Sequence, residues 1–249
     1  MTTSSTPDIP PTRALVTGAA GGIGAAVVAE LRAQGRDVVG VDARAAPGVE
    51  SLDVRDGEAV EALVASIEAQ GPIDVLVNCA GTLSNRTALE TSVQEWERVL
   101  AVNATGVFIV STAVAARMVP RGQGVIVTVA SNAGRLPRYG MAAYGASKAA
   151  AALFTQSLGL ELAEHGIRCN VVSPGTTRTP MVEAMLRDAG IEEEVIVHGD
   201  PTRFKAGIPL GRLAEAQDVA QVVAFLVSDG ARHVTMQDLV VDGGAAMTR

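Results

Sequence analysis

Arg13-Ala14-Leu15-Val16-Thr17-Gly18-Ala19-Ala20-Gly21-Gly22-Ile23-Gly24 runs from a short apolar segment into a glycine-rich turn, and a helical pattern over residues 23–34 follows. Strand, tight turn and helix in that order place a helix N-terminus beside a strand end. Glycines there let the backbone approach a ligand closely, and the unpaired N–H groups of the first helical turn favour a pyrophosphate. A glycine-rich turn alone is a weak signal. Here an acid follows at the required distance: Asp42 ends the next strand, 18 residues past Gly24. A carboxylate at that point can accept hydrogen bonds from ribose hydroxyls and repels a 2′-phosphate. It therefore predicts NAD in preference to NADP, with Arg44 close enough to soften the choice.

Outward from this unit, short apolar runs alternate with helical stretches to the end of the chain. Strands are predicted at 37–41, 73–77, 124–129, 167–172 and 238–241. Helices are predicted at 57–70, at 92–119 as one or two pieces closed by Pro120, and at 142–164 and 215–228. In the 57–70 stretch, Val60, Leu63, Val64 and Ile67 recur at helical spacing. Strands that are apolar throughout, separated by helices, predict an α/β fold: a doubly wound parallel sheet covered on both faces, in a single domain over 13–249. Residues 1–12 read as a disordered tail. Residues 176–212 break the alternation with Pro180, Met181, an acidic run and several cations, and read as a lid over a ligand crevice.

Composition narrows the function. The 249-residue chain is 48% apolar and only 3% aromatic, so Ala, Val, Leu and Ile must build its core. Its net charge is −7, with no basic run, which argues against nucleic acid and against an anionic membrane surface. Gly, Pro or a charge interrupts each apolar run short of the ~18 residues that a span needs, so no membrane segment is expected. Cys79 and Cys169 read as small apolar residues of a reduced compartment, which predicts a cytoplasmic protein. His165, His198 and His233 are isolated, so no metal site is expected.

Tyr144 and Lys148 stand four residues apart at the start of the long helix and share a face. A lysine near a tyrosine favours the phenolate, which makes Tyr144 a candidate general base with a lowered pKa. Ser131 lies 13 residues earlier, just past a strand. Such a tyrosine–lysine pair is by itself commonly just surface. Here the ordered set is Thr17 to Gly24, Asp42, Asn78-Cys79-Ala80-Gly81, Asn103, Ser131, Tyr144-x-x-x-Lys148 and Pro174-Gly175. That set, over nearly all of the chain from Arg13 to Gly244, resembles the short-chain dehydrogenase/reductase family, with its Rossmann-type sheet and nicotinamide cofactor. Cys79 departs from the Asn or Ala common there.

The resemblance implies roles. Tyr144 takes the proton from a substrate hydroxyl, Ser131 bonds the same oxygen, Lys148 binds the nicotinamide ribose, and Asn103 holds a relay water. Gly18, Gly22, Ile23, Gly24, Asp42, Asp53, Val54, Asn78, Ala80, Gly81, Pro174, Gly175 and Thr179 contact the cofactor together with Tyr144 and Lys148. Many members are tetramers, so a homotetramer is expected. Within the family, the stretches at 136–148 and 235–244 most resemble the branch that oxidises a dihydro-dihydroxybenzoate in catecholate siderophore synthesis. The expected substrate is then a small carboxylated cyclic diol, with Ser131, Arg138 and Met141 on the substrate side. Arg138 is the first candidate for its carboxylate; Arg178, Arg203 and Lys205 are the alternatives. A dehydrogenase of a dihydro-hydroxyanthranilate, a 3-oxoacyl reductase and a catalytically dead cofactor-binding regulator are the rival readings.

Overall fold

The structure is a computed structural model that describes residues 12–190 and 192–247. The expected tail lies outside the described residues except for Thr12. Seven strands form one sheet: β1 (Arg13–Thr17), β2 (Asp37–Asp42), β3 (Val49–Ser51), β4 (Ile73–Asn78), β5 (Gly124–Val129), β6 (Ile167–Pro174) and β7 (Asp238–Val241). Their order is β7-β6-β5-β4-β1-β2-β3, and each neighbouring pair is parallel. The winding reverses between β1 and β4. Loops leaving those two strands diverge, and a crevice opens at their C-terminal ends.

Both faces of the sheet are covered, which explains why its strands are apolar throughout. On one face, α1 (Gly22–Ala33) and α8 (Ala216–Val227) pack together, burying Val27, Leu31, Val219, Val223 and Leu226 against Val16, Val77 and Val127. On the other, α2 (Gly57–Glu68), α4 (Gly106–Met118) and α5 (Ala142–Leu162) bury Val60, Val64, Val110, Val114, Leu158 and Leu162 against Leu15, Leu76 and Ile126. Each helix thus contributes a stripe at helical spacing and leaves its opposite side polar or unpartnered.

The structure differs from the sequence pattern in four places. β3 was not expected; it is a three-residue edge strand, too short to show a period. The predicted strand at 167–172 continues to Pro174, because a proline at the last position gives up no ladder donor that β7 requires, and Gly175 N–H then donates to Val241 O at 2.9 Å. The predicted helix at 92–119 is continuous but carries a π-helical turn: α3 (Val93–Leu100) passes into Ala101–Thr105, where Gly106 N–H reaches back to Ala101 O, and then into α4. That whole stretch, Val93–Arg121, is long and apolar enough to cross a membrane by length and composition, contrary to the expectation that no run would be. It packs along the sheet instead, with Val110, Val114 and Met118 fully buried.

The irregular stretch contains α6 (Pro180–Ala189), α7 (Glu193–His198) and a small antiparallel hairpin, Gly199–Asp200 against Lys205–Ala206. Thr179 caps α6 by accepting from Val182 N–H at 3.3 Å, and Pro180 occupies the first turn. Ile196, Ile208, Leu213 and Ala245 form a separate apolar cluster that fastens this stretch to the chain after β7.

Candidate active site

The glycine turn is built for close approach. Gly18 has φ +68°, and a Cβ there would stand 2.6 Å from Ala80 N. A Cβ on Gly24 would collide with Gly18 O, and one on Gly22 would meet Thr179 Cγ2 at 2.7 Å. The turn is therefore pressed against the end of β4 and against the first residues of the irregular stretch. Thr17, to which the sequence assigned no role of its own, holds the switch point together: its Oγ1 accepts from both Cys79 N–H and Ala80 N–H at 3.1 Å. No side chain caps α1 and no acid sits in its first turn. Its N-terminal N–H groups are left for an external anion.

Asp42 is buried at the end of β2. Its Oδ2 accepts from Ala20 N–H at 3.1 Å and its Oδ1 from Arg44 N–H at 2.8 Å, with Arg44 Nε at 3.5 Å. The carboxylate is thus fixed under the turn, beside the position a ribose would take. Uncapped N–H groups, a cradle with no room for Cβ atoms and an oriented acid fit an adenine dinucleotide. Asp53 pairs with Arg55 at 2.5 Å, which holds its carboxyl below the usual range, and Val54 is buried against Gly106. Asn78 departs from expectation. Its side chain does not line the crevice; Nδ2 donates inward to Ser111 Oγ at 2.9 Å and Thr128 Oγ1 at 3.3 Å. A last strand residue alternates between sheet faces, and here the amide falls on the α4 side.

β5 and α5 bring Ser131, Tyr144 and Lys148 together. Ser131 follows β5 and caps a short 3₁₀ turn, its Oγ accepting from Ala133 N–H at 3.1 Å. Tyr144 and Lys148 follow on the first turns of α5. Lys148 is buried, donates to Val129 O at 2.9 Å, and would stand 3.3 Å from a Cβ at Gly81. Its Nζ is 6.0 Å from the Tyr144 ring centre.

The i, i+4 spacing predicts that Lys148 lowers the Tyr144 pKa. The structure overturns that for the protein alone: burial pushes the phenol up, only partly opposed by the nearby Ser131 hydroxyl. The ammonium is directed to a carbonyl, so desolvation dominates.

Burial likewise pushes Lys148 down to about 8. A depressed ammonium lowers stability where it stays charged, below about 8. As pH rises from about 8 to the unfolded value near 10.5, the unfolded chain holds the proton more than the native one, and stability rises. A shift of that size corresponds to about 3 kcal/mol, offset by about 1 kcal/mol for the lost hydrogen bond. Lys148→Met should therefore melt about 5 °C higher than the wild type at pH 7. Thermal unfolding checks this; a lower melting temperature would show that the buried ammonium stabilises the apo fold.

Asn103 lies in the π-helical turn and is wholly buried. Its Oδ1 accepts from Thr82 N–H at 2.8 Å, while Nδ2 donates to Thr82 O and to Ser147 Oγ, each at 2.9 Å. Both side-chain donors are used, so the side chain ties α5 to the loop after β4 rather than reaching for a water.

A cavity next to Ser131 and Tyr144 is lined by Arg138, Met141 and Gly175 and roofed by Met185 of α6 and Ile196 of α7. Lys205 of the hairpin also faces it. Among the alternative cations, Arg178 is excluded: it is paired with Glu193 at 2.7 Å and Glu215 at 3.1 Å. Arg138 forms no ion pair among the described residues, and burial pushes its guanidinium down.

A family model described as enoyl-(acyl carrier protein) reductase matches residues 18–246. The chain belongs to the short-chain dehydrogenase/reductase family. As a member it is an oxidoreductase acting at a CH–OH carbon. This dehydrogenase/reductase is 48% identical to the 2,3-dihydro-2,3-dihydroxybenzoate dehydrogenase of Bacillus subtilis strain 168, over 94% of this chain and 95% of that protein. It is 41% identical to the enzyme of the same name from Escherichia coli K12, over 93% and 96%. The crystal structure of an actinorhodin polyketide ketoreductase variant with NADPH superposes with a TM-score of 0.85, at 36% identity over 96% of this chain and 98% of that one.

Proposed function

We propose that the protein oxidises 2,3-dihydro-2,3-dihydroxybenzoate to 2,3-dihydroxybenzoate with NAD, in catecholate siderophore synthesis. The observation that carries the substrate class is Arg138: a partly buried, unpaired guanidinium in the same cavity as Ser131 and Tyr144. A carboxylate entering that cavity loses hydration, and a charge-assisted hydrogen bond replaces it. The relatives' names support the same ring.

The residues then divide the work. Arg138 holds the carboxylate, and Met141, Met185 and Ile196 pack the ring and keep water out. Ser131 donates to the reacting ring oxygen, and Tyr144 takes its proton. A bound nicotinamide would supply the hydride acceptor for the carbon that bears this oxygen. Lys148, beside Gly81, bonds the ribose and orients it. Gly18, Gly22, Ile23 and Gly24 admit the pyrophosphate to the α1 N-terminus; Ala80, Gly81, Asp53 and Val54 flank the adenosine, and Pro174, Gly175 and Thr179 the nicotinamide. The product ketone tautomerises to a catechol, so aromatisation drives the reaction forward. Oxidation of a panel of cyclic diols and hydroxyacyl thioesters with NAD tests the reading; a preference for a hydroxyacyl thioester would move the assignment to a 3-oxoacyl reductase.

The cofactor choice rests on Asp42. A 2′-phosphate would meet its fixed carboxylate, and like charges in contact cost several kcal/mol, reduced here by the solvent-facing Arg44. NAD should exceed NADP by at least about tenfold in kcat/KM. Equal efficiency in steady-state kinetics would shift the role to Arg44.

The same reading takes the stretch at 176–212 as the substrate lid. It also places the enzyme in the cytoplasm as a homotetramer. Cys79 and Cys169, free and set among apolar neighbours, fit the small-hydrophobe role of cysteines in a reduced compartment. Exposed Phe108 on α4 and exposed Leu153 and Leu160 on α5 form an apolar surface suited to another copy.

A further inference from the structure

Two cations from separate chain segments line the substrate cavity. Arg138 stands on the loop between β5 and α5. Lys205 stands on the hairpin Gly199–Asp200/Lys205–Ala206 that closes the irregular stretch. Neither has a carboxylate within ion-pair distance among the described residues, and each carboxylate that acts on them is spent elsewhere. Asp242 accepts from Asn132 Nδ2, Gly244 N–H and Ala246 N–H at 2.8–2.9 Å. Asp200 accepts from Thr202 N–H and Thr202 Oγ1 and lies 3.6 Å from Arg203. Arg138 and Lys205 therefore repel one another across a half-buried space. Burial, and after it the Arg138 charge, push the Lys205 ammonium down.

The hairpin is also built to hold Lys205 in place. At Gly199, φ +88°, a Cβ would press on Lys205 O at 2.5 Å and Gly207 N at 2.6 Å. Arg203 lies over the Tyr139 ring at 5.3 Å, so the hairpin already leans on the residue next to Arg138. Two unneutralised cations that line one cavity from separate chain segments suit an anion with two oxygens.

The geometry points to Lys205 as a specificity-determining residue. It and Arg138 form a two-cation clamp for one ring carboxylate, and the bound anion, by neutralising both, draws the hairpin onto the Arg138 loop. This rests on reading the cavity as the substrate site. An uncarboxylated ring then loses both the grip and the closure, so selectivity for a carboxylated substrate is set partly by a residue of the lid.

The test compares Lys205→Met, which keeps the stem and removes the charge, with Lys205→Arg, which keeps the charge. The readout is the ratio of kcat/KM for 2,3-dihydro-2,3-dihydroxybenzoate over the uncarboxylated cyclohexadiene diol. Lys205→Met should lower that ratio about 10- to 100-fold, the scale of a hydrogen bond to a charged group; Lys205→Arg should keep most of it. Hydrogen exchange gives a second readout. Salicylate with NADH should slow exchange across residues 199–206 in the wild type and not in Lys205→Met. An unchanged ratio, or equal losses on both substrates in both variants, overturns the clamp. If the wild type does not oxidise the carboxylated diol, the proposed function fails by itself, while salicylate protection that depends on Lys205 still upholds the clamp.

Discussion

Tyr144→Phe should fold, bind NAD and lose at least about 100-fold in turnover, the scale of a positioned acid–base group. The substitution removes one oxygen and leaves the ring in place, so α5 and the cavity wall persist. The pH profile adds a second mark. Burial raises the Tyr144 phenol above its ordinary value, so the free enzyme carries it protonated at neutral pH. Oxidation needs the phenolate to accept the substrate proton. The kcat/KM of the wild type should therefore climb with pH through neutrality and into the alkaline range, and that limb should vanish in the Phe variant. Stopped-flow turnover across pH, with cofactor binding measured by fluorescence, checks both. Near-normal turnover in a folded Phe variant would remove Tyr144 from the role of base.

Arg138→Ala carries the next largest effect. Losing one hydrogen bond to a desolvated carboxylate costs about 1.5–3 kcal/mol, which corresponds to a rise in KM of roughly 10- to 150-fold for the carboxylated diol. The uncarboxylated diol should change far less, because Arg138 makes no ion pair that its removal would break. Equal losses on both substrates would make Arg138 a structural residue and leave Lys205 and Arg203 as the cations.

What the sequence showed depended on how local each signal was. The strand–turn–helix at Arg13 to Gly24, the acid at Asp42 and the helix carrying Tyr144 and Lys148 are each contained within one or two elements, and their residue types have few alternatives. The parallel order was legible because strands buried on both faces have no polar alternation to hide. β3 stayed invisible because three edge residues show no period.

The π-helical turn at Ala101–Thr105 stayed invisible because helix periodicity does not register one extra residue. Side-chain direction was harder still. Asn78 looked like a cofactor contact from its motif, yet Ser111 and Thr128, 33 and 50 residues away, claim its amide. Arg178 looked free for a substrate until Glu193 and Glu215 closed on it. The sign of the Tyr144 shift was missed for a related reason: spacing reports proximity of a charge, whereas desolvation depends on everything packed around the ring. Thr17 carried a usable hint, a hydroxyl on the last residue of a strand ahead of the glycine turn, where two N–H groups of the loop after β4 need an acceptor.

The most direct test supplies purified protein with 2,3-dihydro-2,3-dihydroxybenzoate and NAD and follows NADH together with the product. The account predicts stoichiometric NADH and 2,3-dihydroxybenzoate, with far slower turnover of cyclic diols that lack the carboxylate. Absence of the catechol, or equal turnover of carboxylated and uncarboxylated rings, would contradict it.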